Sequence, residues 1–154
     1  MSADPVVEIA LPDADATARL GAAIAPLLRA GDAVLLYGPL GAGKSTLARG
    51  LIRTLTRPDE EVPSPTFTLV QFYDARVALA HFDLYRLERA DEAWEIGLDE
   101  ALDSGCAIIE WPERLGDALP PDRLEVVLAE AGEGRTARLT ARGSWKERML
   151  DFRP

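Results

Sequence analysis

The sequence has no asparagine, a single cysteine, a single histidine and only two lysines, Lys44 and Lys146. One cysteine, Cys106, excludes an internal disulfide and any cysteine-based zinc site. Set in the apolar string Cys106-Ala107-Ile108-Ile109, it reads as a buried, inert thiol suited to a reducing cytoplasm. No apolar run is long enough to cross a bilayer. Met1-Ser2-Ala3-Asp4-Pro5 carries an acid and no base, so no secretory signal is expected. Positive charge is scarce as well. Lys and Arg total 17 against 26 Asp and Glu, a formal net charge of −9 that repels phosphate backbones and anionic lipid at long range. Neither a membrane surface nor nucleic acid is therefore expected as a direct partner of the whole surface, although a partner protein can carry the nucleic acid. The small basic group Arg135, Arg138 and Arg142 reads as a solvated strand face, with a local basic patch as the alternative.

What is present is a globular composition: 154 residues, 47% hydrophobic and 28% charged, enough for one compact domain spanning 1–154. Val6–Leu11 reads as a first strand. Asp13 or Asp15 offers an N-cap for a helix whose Leu20, Ile24, Leu27 and Leu28 share a face, with Pro26 bending or shortening it and Gly31 as its stop. The apolar run 33–37 predicts a strand, and the helix formers 46–55 a helix after a tight loop. Runs 68–73 and 77–82 are spaced to pair as a hairpin. Residues 91–103 look helical and acidic, and 107–110 is a buried strand ending on a carboxylate. The runs 124–128 and 137–140, separated by Glu133-Gly134, predict a last hairpin before a short helix over 145–150. Strands alternating with helices, plus hairpins, make an α/β fold with a mixed β-sheet flanked by helices the most economical architecture.

Gly38-Pro39-Leu40-Gly41-Ala42-Gly43-Lys44-Ser45 satisfies G-x-x-x-x-G-K-[ST] completely and lies between an expected strand and an expected helix, as a P-loop must. The chemistry explains the spacing. Gly38, Gly41 and Gly43 can take positive φ, turning backbone N–H groups of the loop inward around nucleotide phosphates at a helix N-terminus. Lys44, conspicuous in a chain that otherwise uses arginine, would reach the β and γ phosphates, and the Ser45 hydroxyl would ligate Mg2+. A chain without asparagine has no N-K-x-D motif to read guanine, which favours ATP as the nucleotide.

Magnesium-nucleotide chemistry also calls for a carboxylate at the end of a neighbouring strand. Asp83 closes the run 77–82 and Glu110 closes 106–109; singly each fits a solubilising strand end, but together behind a P-loop they point to the metal or the attacking water. Thr66, in Pro63-Ser64-Pro65-Thr66, stands where a hydroxyl can sense the γ-phosphate, and a capping threonine in a proline-stiffened turn is the alternative. Trp111 follows Glu110 and in isolation suits packing. His81 alternates in facing with Phe82 and reads as structural.

Together these residues resemble the TsaE family of bacterial ATPases, required for making threonylcarbamoyladenosine (t6A) in tRNA. The resemblance rests on Leu11-Pro12-Asp13 with Ala16-Thr17, the loop Gly38 to Thr46, Ser64-Pro65-Thr66-Phe67-Thr68-Leu69-Val70, His81-Phe82-Asp83-Leu84-Tyr85-Arg86-Leu87 and Ile109-Glu110-Trp111-Pro112-Glu113. It spans nearly the whole chain in order. Departures are Pro39, where the family often has aspartate, and Ser45, where it often has threonine. The resemblance implies a single P-loop NTPase-like domain and a magnesium-dependent ATPase, weak alone. Its partners would be the threonylcarbamoyl-transferase subunit and that subunit's paralogue, with tRNA met only indirectly. It implies catalytic roles for Lys44, Thr66, Asp83 and Glu110, and Mg2+ held by Ser45, Asp83 and Glu110. Nucleotide contacts would come from Gly38, Leu40, Gly41, Ala42, Gly43, Lys44, Ser45, Thr46 and Trp111, with Thr17 and Arg135 on the adenine side. A small-molecule P-loop kinase is the alternative, but such kinases add an arginine-bearing lid, and the segment between the carboxylate strands is acidic. A nucleotide-responsive binding module without useful catalysis is a third reading.

Overall fold

The computed structural model describes residues 6–39 and 41–152. Leu40 and the first five residues, on which expectations above rest, lie outside the described residues.

The chain opens with strand β1, Val6–Leu11. Helix α1, Ala14–Ile24, starts where the Asp13 carboxylate accepts from the Ala16 N–H at 2.8 Å, the N-cap anticipated from sequence. It tightens into a 3-10 turn at Ala25–Leu27, because Pro26 has no N–H to continue the α ladder. Strand β2 is Ala33–Tyr37 and helix α2 Lys44–Leu55. Then follow β3, Val70–Tyr73, β4, Ala78–Asp83, helices α3, Asp91–Glu95, and α4, Leu98–Ser104, and β5, Gly105–Glu110. A long hairpin of β6, Arg123–Ala131, and β7, Gly134–Arg142, precedes α5, Trp145–Arg148, and a 3-10 turn, Met149–Asp151.

One seven-stranded mixed sheet results, in the order β1-β7-β6-β2-β5-β4-β3. The four inner strands β6, β2, β5 and β4 are parallel, and antiparallel strands flank them: β3 beside β4, and β7 and β1 beyond β6. The parallel arrangement carries Tyr37, Asp83 and Glu110 to the same edge of the sheet. Ala33 to Leu36 of β2 are fully buried, as a strand covered on both faces requires. On one face Leu47, Leu51 and Ile52 of α2 and Leu20 and Ile24 of α1 pack with Leu36, Ile108, Val126 and Leu139. On the other, Leu87, Leu98 and Leu115 cover Leu35, Phe82 and Ile109. Each such aliphatic or aromatic side chain stabilises the fold by about 1.5–3 kcal/mol.

Two glycines let α1 lie directly on α2. A Cβ on Gly21 would sit 2.2 Å from the Leu47 carbonyl oxygen, and one on Gly50 would sit 2.3 Å from that of Ala18. The near-C-terminal helix is tied down by a buried ion pair: Arg148 Nη2 donates to Asp32 Oδ1 at 2.9 Å and the guanidinium stacks on Trp145, while the Arg29 N–H donates to Asp32 Oδ2 at 2.7 Å.

Boundaries differ from expectation in physically legible ways. Helix α2 starts at Lys44 rather than 46, because Gly43 at φ 104 turns straight into the first helical residue. The strand expected from 68 starts at Val70, since Leu69 takes φ 70 and breaks extension, and β4 runs 78–83 rather than 77–82. The acidic helix divides at Gly97, φ 102, into α3 and α4. Strand β5 begins two residues early, at Gly105, where a Cβ would meet the Ala78 carbonyl at 2.1 Å. Backbone pairing also carries β6 and β7 well beyond their apolar cores, to Ala131 and from Gly134.

Candidate functional site

Strand β2 ends at Tyr37 and the chain turns through the loop into α2. Gly38, Gly41 and Gly43 have φ of 145°, 81° and 104°, the left-handed geometry that an L side chain would resist. Gly38 is held further by close approach, since its Cβ would fall 2.7 Å from the Leu128 carbonyl oxygen. Lys44, at the first position of α2, is buried. Its Nζ donates to the Gly38 carbonyl at 2.7 Å and lies 3.6 Å from the centroid of the Trp111 ring. Burial pushes the Lys44 pKa down, while Glu110, Glu113 and Asp83 pull it back up. The lysine therefore faces a negative wall across the loop.

That wall is a product of register. Asp83 and Glu110 are paired positions at the ends of parallel β4 and β5. Both are buried. Asp83 is bonded at both oxygens: Thr66 Oγ1 donates to Oδ2 at 3.1 Å and the Tyr85 N–H donates to Oδ1 at 3.0 Å. Ser64 Oγ lies 2.7 Å from Thr66 Oγ1. Because a hydroxyl has one proton and that of Thr66 is given to Asp83, Ser64 is the donor, and the order is Ser64 to Thr66 to Asp83. The loop is anchored again at Leu69, whose N–H donates to the Pro65 carbonyl and whose carbonyl accepts from the Asp83 N–H.

Ser64, Thr66, Asp83, Glu110 and Trp111 share a cavity of about 250 Å³ with Gly41, Gly43, Lys44, Ser45 and Thr46. A second hollow of about 210 Å³ lies across the same loop, lined by Thr17, Gly41, Gly43, Thr46, Gly134 and Arg135 among others. A Cβ on Gly43 would approach Thr17 Cγ2 to 3.3 Å, so α1 abuts the loop, and Arg135 Nη2 donates to the Gly41 carbonyl at 3.1 Å. Of the basic group on β7, only Arg135 reaches the loop: Arg138 pairs with Glu8 at 2.8 Å and Arg142 with Glu125 at 3.6 Å. The structure thus brings the described candidate residues other than Gly38 and Ala42 to one of two hollows around a single loop. Ala42 is the buried core member of that loop and Gly38 its first turn.

Apart from the Lys44 amine and the Trp111 ring, the polar side chains of the larger cavity are all oxygen donors, the hydroxyls of Ser45, Thr46, Ser64 and Thr66 and the carboxylates of Asp83 and Glu110. Such a set suits a hard cation like magnesium. Among the described residues no three His, Cys, Asp or Glu side chains are grouped to hold a metal by themselves. Magnesium that takes its other ligands from phosphate and water needs no such group.

Three features escape a reading by motif. His81 Nε2 lies 2.6 Å from Glu110 Oε2 with both side chains buried, a partner that the structural reading of His81 did not name. Spacing places His81 on the same face of β4 as Asp83, but the register with β5 that brings Glu110 to it is not written there. Ser64 feeds the Thr66 hydroxyl. Trp111 takes φ 59, and it and Leu69 are the two described non-glycine residues at positive φ; both border the site, where such strain of about 1–3 kcal/mol tends to collect. Between the carboxylate strands, residues 84–104 pack Ala93, Leu98 and Ala101 against the sheet, and the exposed Arg89 pairs with Asp91. The segment's other arginine, Arg86, lies over the ring of Phe67 with its guanidinium 4.3 Å from the ring centre.

Comparison with known proteins agrees with this geometry. The family model for the threonylcarbamoyl adenosine biosynthesis protein TsaE matches residues 11–138. The tRNA threonylcarbamoyladenosine biosynthesis protein TsaE of Nostoc sp. is 40% identical over 147 residues, 91% of this chain and 89% of the relative. That of Bacillus subtilis is 39% identical over 141 residues, 88% and 84% of the two chains. The crystal structure of Bacillus subtilis YdiB is similar with a TM-score of 0.79 at 27% identity, covering 98% of this chain and 95% of that one. No helix among the described residues is long and apolar enough to cross a membrane.

Proposed function

The chain belongs to the TsaE family of threonylcarbamoyl adenosine biosynthesis proteins, and from that premise we propose that it is a magnesium-dependent ATPase of the tRNA threonylcarbamoyladenosine assembly. It binds the threonylcarbamoyl-transferase subunit and its paralogous partner in the cytoplasm as one domain of residues 1–154, and its turnover drives their cycle. The observation that carries this reading is the complete phosphate loop, whose Lys44 faces Asp83, Glu110 and Thr66 across one cavity. An acidic surface of net charge −9 suits a subunit that leaves tRNA to its partners.

In this mechanism the loop N–H groups and Lys44 hold the phosphates of ATP. Lys44 exchanges its bond to the Gly38 carbonyl for one to phosphate oxygen, a change from a neutral to a charged acceptor that strengthens the contact. Bound magnesium would shield the phosphate charge, with Ser45 and Asp83 as the residues that would hold it and Glu110 reaching it only through water. Glu110 orients the attacking water. Thr17, Trp111 and Arg135 border the nucleotide on either side of the loop. Thr66 senses the γ-phosphate: its hydroxyl exchanges Asp83 for the nucleotide side, which reorders residues 64–68 and changes the surface offered to the partners. Thr66→Ala should therefore bind nucleotide but lose partner-stimulated turnover; retained stimulation would refute the sensor role.

The direct test of nucleotide binding is thermal stabilisation by Mg-ADP. At a ligand concentration of about 100 times Kd the folded state gains about 2.7 kcal/mol. Lys44→Ala should lose most of that gain. An undiminished shift in the variant would overturn the assignment of this loop.

A further inference from the structure

The structure assigns to His81 a positioning role: its Nε2–H donates to Glu110 Oε2 and fixes that carboxylate so that Oε1 faces the attacking water. This inference rests on the ATPase reading above, and its own evidence is geometric. Leu79, His81 and Asp83 occupy one face of β4, where register sets His81 opposite Ile108 of β5, and Glu110 lies two residues further along the same face. The hydrogen bond is thus a diagonal across adjacent parallel strands, 2.6 Å long and shut away from solvent. An interior face otherwise filled by Leu79, Cys106 and Ile108 would accept an aliphatic side chain at position 81.

The other ring nitrogen supports a directed role. Nδ1 of His81 is buried and has no hydrogen-bond partner among the described residues. A buried N–H without an acceptor is costlier than a bare lone pair, because an acceptor can tolerate a loose or partial partner more easily than a donor can. The ring proton therefore belongs on Nε2, in the bond to Glu110. The two site carboxylates then differ in their freedom. Asp83 receives donors at both oxygens, from Thr66 and Tyr85, whereas Glu110 receives one at Oε2 and borders the cavity with its other oxygen unengaged by the described residues.

A carboxylate on three rotatable bonds is a poor director of water unless something holds it. His81 supplies that hold from beneath, on the β4 side of the pair. In the step it serves, the water oxygen bonds to the γ-phosphorus as the bond to the bridging oxygen breaks, with the electron pair leaving on ADP. The water proton passes to Glu110 Oε1 and from there to the released phosphate. His81 stays bonded to Oε2 throughout and exchanges no proton.

His81 is the sole histidine, so 15N labelling of the full chain gives one imidazole to observe. A proton on Nε2 that exchanges slowly with solvent is expected; an Nε2 without a proton overturns the proposal, and this measurement needs no variant. Kinetics supply the second arm. His81→Leu should lower kcat for phosphate release about tenfold to a hundredfold, the usual cost of losing a partner that orients a catalytic ligand, with KM for Mg-ATP little changed. His81→Gln, which can still donate, should recover part of the loss. In a Glu110→Gln background His81→Leu should cost nothing more. A kcat for His81→Leu within about twofold of wild type, or a full additional loss in that background, would overturn the role. Wild-type phosphate release no faster than that of Lys44→Ala would instead overturn the ATPase reading, while the Nε2 proton still decides the His81–Glu110 bond.

Discussion

Replacing Gly21 by alanine tests whether the nucleotide site depends on how closely α1 lies against α2. The new methyl would stand 2.2 Å from the Leu47 carbonyl oxygen and 2.9 Å from the Leu51 nitrogen. Both are backbone atoms inside a helix, so neither can swing aside, and the helices must part by about 1 Å to restore ordinary contact. Overpacking of this kind costs about 1–3 kcal/mol, and two backbone atoms closer than 3.0 Å place it in the upper part of that range, about 2–3 kcal/mol. Against it stands the gain in helix propensity from glycine to alanine, about 1 kcal/mol. The net destabilisation is therefore about 1–2 kcal/mol, which for a domain of this size lowers Tm by about 2–8 °C in a calorimetric or fluorescence melt. Gly50→Ala presses on the same contact from the other helix, 2.3 Å from the Ala18 carbonyl. Once the helices have parted, the second methyl should cost less than it does alone, so the double variant should be less destabilised than the sum. Because Thr17 of α1 lines the same hollow as Gly43 of the loop, the parted helices should also weaken Mg-ADP stabilisation. A Gly21→Ala protein with an unchanged or raised Tm would refute the close approach and with it the packing of α1 on the phosphate loop.

Arg148→Met strands the buried carboxylate of Asp32 with only the Arg29 N–H, so urea unfolding should show a loss of about 3–5 kcal/mol, partly recovered by adding Asp32→Asn. At alkaline pH, burial holds the Cys106 thiol and the Tyr37 hydroxyl up to about 12, above their ordinary 9.0 and 10.0, so the folded state keeps protons that the unfolded chain gives up. These two groups leave stability unchanged below about pH 9 and erode it as pH rises from 9 toward 12; Cys106→Ala should flatten part of that fall in pH-dependent melts. Native Cys106 should correspondingly resist thiol reagents at pH 8 until the protein unfolds. Nucleotide that draws Lys44 from the face of Trp111 should change tryptophan emission, and Trp111→Phe should remove the change while Trp94 and Trp145 remain.

Much of this architecture is legible in the sequence because it is written in local chemistry. The bounds of β1 and β2, the Asp13 cap, the shortening of α1 at Pro26 and the three positive-φ glycines of the loop each follow from residues within a few positions of one another. Asp83 and Glu110 could be nominated as strand ends for the same reason. Their pairing could not, because register between β4 and β5 is set by contacts nearly thirty residues apart. The partner of His81, read from its own strand as structural, was illegible on the same account: it arrives from β5. The hairpin β6–β7 proved longer than its apolar runs because backbone pairing persists where side chains turn to solvent. The division of the acidic helix at Gly97 depends on seating Leu98 and Ala101 against the sheet, which no helical period announces.

The central claim, that this phosphate loop hydrolyses ATP in the service of a transferase assembly, is tested most directly by phosphate release from Mg-ATP. The measurement compares the purified protein alone with the protein plus the transferase subunit and its paralogous partner, with Lys44→Ala as the blank. Slow release that rises sharply on adding the partners, and that disappears in Lys44→Ala, is the expected result. Release that ignores the partners, or rapid transfer of phosphate to an added small acceptor, would contradict the account and mark the protein as a kinase or an unassisted hydrolase.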